Sequence, residues 1–303
     1  MSAVTSAGVA DEREFRALVE PYRRALEIHC YRMLGSRHDA EDLVQETLLR
    51  AWRSFDRFEG RAAVSTWLYR IATNACLDEI ERRPRRAEPV VDPYPDDRVA
   101  EAGAPIADPA ARYALREGME LALLTAIQRL PGRQRAVLIL RDVLGWSGPE
   151  VAELLETTVA AVNGALQRAR ATIDGAVPAS SARNVRRDAD RELLRKYVEA
   201  WERQDFATLV ALLREDAVLT MPPHAAVRGA TEIVAFFQSN CGGTAASLRA
   251  TPGAANGRPA VLLHDGDGAP HRLLVLESSD GRAFEQIRAY EERELAAFRV
   301  GAQ

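Results

Sequence analysis

Between Glu12 and Arg83 the apolar residues recur at helical spacing: Phe15, Leu18, Val19, Tyr22, Leu26 and Cys30 predict one helical face. Gly35 and the segment "SRHDAED" interrupt the pattern, and Ser36 or Asp39 is placed to cap a second helix carrying Leu43, Val44, Thr47, Leu48, Ala51 and Trp52. A turn is expected around "FDRFEGRAAVS". The stretch "STWLYRIATNACLDEIERRPRR" then reads as a third helix with a basic tail, with Leu68, Ile71, Ala72 and Ala75 inward. Trp67 falls on that face and is expected in the core rather than as a stacking platform. Residues 12–83 therefore form an all-helical domain.

Residues 84–111 are rich in Pro, Ala and acid, keep no apolar period and read as a flexible linker. Helical periodicity returns over 112–175, and a second linker is expected at 176–189. From 190 to 298 the character changes. "LLRKYVEAW" is one amphipathic helix, and "DFATLVALL" is a short one capped by Asp205. Strands are expected at "AVLTM", "PAVLLHD", "HRLLVLES" and "AFEQIRAY", the last two joined by the Asp-Gly turn of "SDGR". This third domain is α+β.

A chain of 303 residues fits two or three such units, and 47% hydrophobic with 28% charged residues is ordinary for a globular protein. The net charge of -4 gives no overall attraction to nucleic acid, so any such role must come from local basic patches. Lys196 is the single lysine, a bias that codon usage explains better than a demand for arginine geometry. Cys30, Cys76 and Cys241 are odd in number and far apart, which suggests neither a disulfide framework nor a zinc site. With no signal-like start and no long apolar run, a soluble cytoplasmic protein with no membrane contact is expected.

The second domain offers a binding motif. In "LGWSGPEVAELLETTVAAVNGALQRARATI" a helix from about Gly148 to Leu155, a break at "ETT" and a helix from Val159 to Ile173 make a helix-turn-helix pattern. Thr158 would cap the second helix, Val159, Val162, Leu166 and Ala169 would face inward, and Ala161, Asn163, Gly164, Gln167, Arg168 and Arg170 outward. Asn and Gln read adenine edges, and Arg reads guanine or holds phosphate. By itself this segment leaves two packed helices of an ordinary bundle as the lesser rival to that pattern.

Taken in order, "DAEDLVQETLLRAWRSFDRF", "EGRAAVSTWLYRIATNACLDEIERR" and "LPGRQRAVLILRDVLGWSGPEVAELL…TVAAVNGALQRARATI" resemble the extracytoplasmic-function group of sigma-70 RNA polymerase sigma factors, with region 2, a short linker and region 4. The resemblance implies that Asp42, Gln45, Glu46 and Arg50 dock on the clamp of the polymerase beta-prime subunit, and that region 4 meets the beta flap. It also implies that the loop and helix bearing Gly60, Arg61, Ser65, Asn74, Arg82 and Arg83 hold the minus-10 element, with Asn74 directed at an unstacked base. Minus-35 contacts fall to Thr158, Ala161, Asn163, Gln167, Arg168 and Arg170. The loop "EGRAAVS" departs from the acidic or serine-rich loop of many relatives, so it does not disclose the preferred base.

The segment "LLRKYVEAWERQDFATLVALLREDAVLTMPPHAAVRGATEIVAFF" resembles the SnoaL-like branch of the NTF2-like fold, a cone formed by a curved sheet wrapped by helices. In relatives such an extension tunes sigma activity, which implies an intramolecular contact with the sigma domains. Tyr197, Trp201, Met221 and Phe237 could line a pocket or fill the cone. Asp216, His224, His264, Asp265 and His271 are acid-base candidates by residue type only, without a constellation that assigns their roles. The expected protein is thus a non-enzymatic sigma factor without a cofactor. The rivals are a helix-turn-helix activator with a ligand-sensing domain and a SnoaL-like enzyme fused to a DNA-binding region.

Overall fold

The structure, a computed structural model, describes residues 4–58, 63–82, 91–95, 121–173, 180–221, 224–241 and 248–291. They fall into two units, Met1–Asp92 with Asp97–Val177, and Pro93–Asp96 with Pro178–Gln303.

The first unit begins with α1 (Val4–Leu34), α2 (Arg37–Ser54) and α3 (Val64–Arg82), which pack on one another. Gly35, at φ 75°, turns the chain after α1. Ser36 then accepts the Asp39 N–H as the cap of α2, as its sequence position predicts. Leu26, Cys30, Met33, Val44, Leu68, Ala72 and Cys76 make the core between them. At its centre His29 is fully buried, with Nε2 2.9 Å from Thr73 Oγ1. Burial, reinforced by the nearby Arg32 charge, pulls the imidazole pKa down to about 3, so it is neutral.

The same unit continues with α4 (Leu121–Gln128), α5 (Gly132–Leu138) running into a π turn at Ile139–Val143, α6 (Gly148–Leu154) and α7 (Val159–Ile173). Of these, α4, α5 and the π turn pack against α1, and α5 also against α3. Gln128 Nε2 donates to the Arg32 carbonyl at 2.8 Å. The Arg135 guanidinium, on a residue only 6% exposed, donates to the carbonyls of Met33, Gln128 and Leu130. Desolvation lowers its pKa to about 10, and the ring of carbonyl acceptors compensates its charge. Gly132 leaves room for Leu77 and Ile80 of α3, to which an added Cβ would approach within 3.2 and 3.3 Å.

The second unit comprises α8 (Ser180–Glu202), α9 (Phe206–Ala211), α10 (Ala230–Cys241) and a six-stranded sheet. Its strands are β1 (Leu213–Thr220), β2 (Val227–Arg228), β3 (Arg249–Ala255), β4 (Arg258–His264), β5 (Pro270–Glu277) and β6 (Phe284–Glu291), in the order β2-β1-β6-β5-β4-β3. Among the described strands, β1–β6 is the one parallel pair. The helices cover one face, where Leu193, Tyr197, Trp201, Ile233, Val261, Leu263, Leu274 and Ile287 share a core. Leu262, Leu273 and Val275 alternate onto the other face. Asp205 caps α9 through the Thr208 N–H, and Asp280 orders the turn before β6 by accepting from Arg282 N–H at 2.8 Å.

Four expectations are revised. The strands β2 and β3 escape the pattern analysis, because β2 has two residues and β3 contains Pro252 and Gly253, which are tolerated at its edge position. Residues Ser180 onward, read as linker, belong to α8. Val91, Pro93, Tyr94 and Pro95, read as part of a flexible linker, are buried. Val159, read as facing inward, is 41% exposed because it stands at the first turn of α7, at the edge of the core beside Gly148.

Candidate nucleic-acid interface

The turn between α6 and α7 is built by local rules. Ser147 and Glu150 form a reciprocal capping box on α6, with Pro149 in the first turn. The helix ends at Leu155, and Glu156 takes φ 50° to redirect the chain. Thr158 Oγ1 then accepts the Ala161 N–H at 3.1 Å, opening α7. Val162, Leu166, Ala169 and Ile173 seat α7 on the core. Gly148 lets α7 approach, since a Cβ there would lie 3.3 Å from Val159.

The opposite side of α7 is open. Ala161, Asn163, Gln167, Arg168 and Arg170 are exposed. Asn163, Gln167 and Arg170 border a cleft of about 480 Å³ with Arg141, Leu166 and Ala171. Arg170 is neutralised in part by Asp142, which it meets at 2.9 and 2.6 Å. The exposed row thus offers amides and guanidinium groups at helical spacing, the chemistry that reads base edges and grips phosphate.

A second polar surface lies on α2. Asp42 and Gln45 are exposed, and Asp42 approaches His38 at 3.5 Å. Glu46 pairs with Arg50 at 2.8 Å, which holds the Glu46 carboxyl below its ordinary pKa, and Arg50 also reaches Asp78 at 3.4 Å. Leu43, Val44 and Thr47 point into the bundle. Pattern analysis missed Leu49, which is 51% exposed beside this polar row, and placed Trp52 inside although it is 38% exposed and packs its ring on Phe15 and Phe55. The spacing 42, 45, 49, 52 along one helix was the available signal.

On α3, Asn74 is exposed between the buried Thr73 and Ala75. Ser65 is half-buried in the first turn, and Arg82 is exposed, ion-paired with Glu79 at 3.0 Å. Trp67 is half-buried and stacks on Phe58 with centroids 4.6 Å apart, an aromatic shelf rather than a fully enclosed core residue. Gly60, Arg61 and Arg83 lie outside the described residues.

In the second unit Tyr197, Trp201, Met221 and Phe237 are all buried in one cluster. Tyr197 stacks with Trp201, and Trp201 meets Phe237 edge-on at 5.4 Å. Asp216 is exposed and paired with Arg214 at 2.9 Å, which lowers its pKa, the reverse of the elevation a desolvated base needs. His224 is exposed as well. Asp265 accepts the N–H groups of Asp267 and Ala269, a turn-forming role.

Comparison with known proteins follows the same division. The chain matches Sigma-70 region 2 over residues 18–86, Sigma-70 region 4 over 120–173 and the SnoaL-like domain over 194–299. It is similar to the ECF RNA polymerase sigma factor SigG of Mycobacterium tuberculosis (strain ATCC 25618 / H37Rv), 40% identical over 298 residues, 90% of this chain and 80% of the relative. To the ECF RNA polymerase sigma factor SigW of Bacillus subtilis (strain 168) it is 36% identical over 168 residues, 53% of this chain and 87% of that one. The crystal structure of the Mycobacterium tuberculosis extracytoplasmic function sigma factor SigJ shares its fold, with a TM-score of 0.55 at 23% identity over 94% of this chain and 98% of that chain. With both sigma regions in order, a SnoaL-like domain behind them and identity to a sigma factor along most of its length, the chain belongs to the ECF sigma factors of RNA polymerase.

Proposed function

We propose that three surfaces of this sigma factor divide the work of initiation. The outward face of α2, with Asp42, Gln45, Glu46, Arg50 and the exposed Leu49, docks on the beta-prime clamp of the core enzyme. Asn74 and the Phe58–Trp67 stack receive an unstacked base of the minus-10 element, and Gly60, Arg61, Ser65, Arg82 and Arg83 are the further residues assigned to that contact by family resemblance. The α7 row lies in the major groove at minus-35, and the surrounding region 4 meets the beta flap.

The observation that carries this reading is the row Asn163, Gln167 and Arg168, exposed on a helix whose start is fixed by the Thr158 cap. The protein performs no chemistry itself; it positions polymerase. The SnoaL-like domain sets the output of the sigma regions. The closed aromatic cluster at Tyr197, Trp201 and Phe237 and the exposed, ion-paired Asp216 favour a packing role over catalysis.

Run-off transcription with purified core polymerase across a promoter library tests both halves. The full chain confers initiation, whereas a duplex-binding activator would not. Removal of the residues after Ser180 alters promoter output or polymerase affinity; unchanged values for both would remove the regulatory role.

A further inference from the structure

We propose that α7 reads A·T base pairs through one stripe of side chains, Val159, Asn163 and Gln167, while the arginines around it are withdrawn from the bases. This inference rests on the minus-35 role proposed above for α7 and names the base pairs it recognises. The three residues are four positions apart, so they follow one another nearly in line along the helix, about 6 Å per step. All three are exposed, Val159 to 41%. Neither the Asn163 nor the Gln167 amide makes a hydrogen bond to another described residue.

The neighbouring guanidinium groups are engaged elsewhere. Arg170 gives Asp142 both Nε and Nη2, at 2.9 and 2.6 Å, the two-donor edge that guanine O6 and N7 would need. Arg141, on the π turn, donates Nη1 to the Trp146 carbonyl. Arg168 stands about 100° around the helix from Gln167 and so faces the opposite wall of a groove. Its Nη1 lies back along the helix against Gly164, 3.4 Å from where a Cβ would stand. That placement suits a phosphate contact, which carries no sequence information.

Base edges then meet two amides and one branched apolar side chain. Asn and Gln each pair with adenine N6 and N7 in the major groove, and an apolar side chain covers the thymine methyl. Ala160, Gly164 and Ala171 form the outer pole of α7, opposite the buried Val162, Leu166 and Ala169, so the backbone can seat low enough for a short asparagine to reach a base. Val159 and Asn163 lean on α6, since a Cβ added at Gly148 would lie 3.3 Å from Val159 Cγ1 and 3.9 Å from Asn163 Oδ1. This backing orders both side chains before DNA arrives. The spacing of about 6 Å between Asn163 and Gln167 is close to two base-pair steps of about 3.4 Å. The two adenines therefore fall within three consecutive base pairs, with a thymine methyl beside them for Val159.

Selection from a promoter library randomised over the minus-35 region, using the full chain assembled with core polymerase, tests this code. The retained DNA should carry two adenines within three consecutive base pairs, each favoured over guanine about tenfold. Asn163→Ala should abolish the preference at one of these positions and Gln167→Ala at the other. Gln167→Arg should turn its position from adenine to guanine, a gain that loss of folding cannot imitate. Arg168→Ala should weaken retention of every sequence alike and leave the preferences in place. Guanine at the positions that respond to Asn163 and Gln167 overturns the code. So does a uniform loss of binding in both alanine variants with unchanged preferences, which would make the amides backbone contacts. If the holoenzyme retains no promoter, the sigma reading fails, and the same selection with the full chain alone on duplex DNA decides the code. Adenine preference lost in the alanine variants supports it there, and duplex binding without base preference, or no binding, overturns it.

Discussion

Arg170, which borders the α7 cleft, meets Asp142 face to face, with Nε 2.9 Å from Oδ2 and Nη2 2.6 Å from Oδ1. A bidentate pair of this kind fixes the guanidinium in one orientation and offsets part of its charge at the surface that the proposed minus-35 contact uses. Replacement Asp142→Asn keeps an oxygen to orient Arg170 but frees its charge. Affinity for duplex DNA should rise, and the slope of log affinity against log salt should steepen by about one. Fluorescence anisotropy at several salt concentrations measures both.

Asn74 stands exposed between two buried neighbours on α3, so its side chain can be removed without opening the core. Asn74→Ala should leave the melting temperature and core-polymerase affinity unchanged while reducing open-complex formation, read by permanganate reactivity of the melted strand. Loss of polymerase binding in this variant would identify a structural residue instead.

Leu49 projects an apolar side chain, 51% exposed, from the same helix surface as Gln45 and Glu46. An exposed leucine beside a charged row is a natural anchor for a partner helix. Leu49→Asp should weaken core-polymerase binding roughly tenfold without changing stability. Titration of labelled core enzyme and thermal denaturation together separate the two effects.

His29 titrates differently in the two states of the chain. In the folded protein desolvation, with Arg32 nearby, holds its pKa near 3, while the unfolded chain has the ordinary 6.5. Below pH 6.5 the unfolded state therefore binds a proton that the folded state refuses, so this contribution to stability is complete above that pH and is lost as pH falls toward 3. The loss is at most about 1.4 kcal/mol per pH unit. His29→Gln, which can still meet Thr73, should flatten this part of the stability profile between pH 6 and 4, measured by urea denaturation.

The helices of the sigma regions were legible because their signals are local. The Ser36, Ser147, Thr158 and Asp205 caps each act within three residues of themselves, and the amphipathic period of α7 declares its buried side. The break before Val159 and the outward amides of α7 follow from those same short-range rules, whereas the order of the regions came from the resemblance of the motif blocks to the sigma-70 family. Strand β3 was hidden because Pro252 and Gly253 erase its alternation, although the Asn-Gly pair after it is a hairpin signal that pattern analysis passed over.

By itself, then, the sequence determined the types of most elements and the chemical character of the α2 and α7 surfaces, since periodicity and capping are written within a few positions. Tertiary structure alone decided which side chains those surfaces keep available. Asp142 and Arg170 are 28 positions apart, Arg135 finds the Met33 carbonyl across 102, and Tyr94 meets Asn256 across 162. No spacing rule reaches that far, because such pairs are chosen by how packed helices and strands bring distant backbone together and by the cost of leaving a buried polar group without a partner.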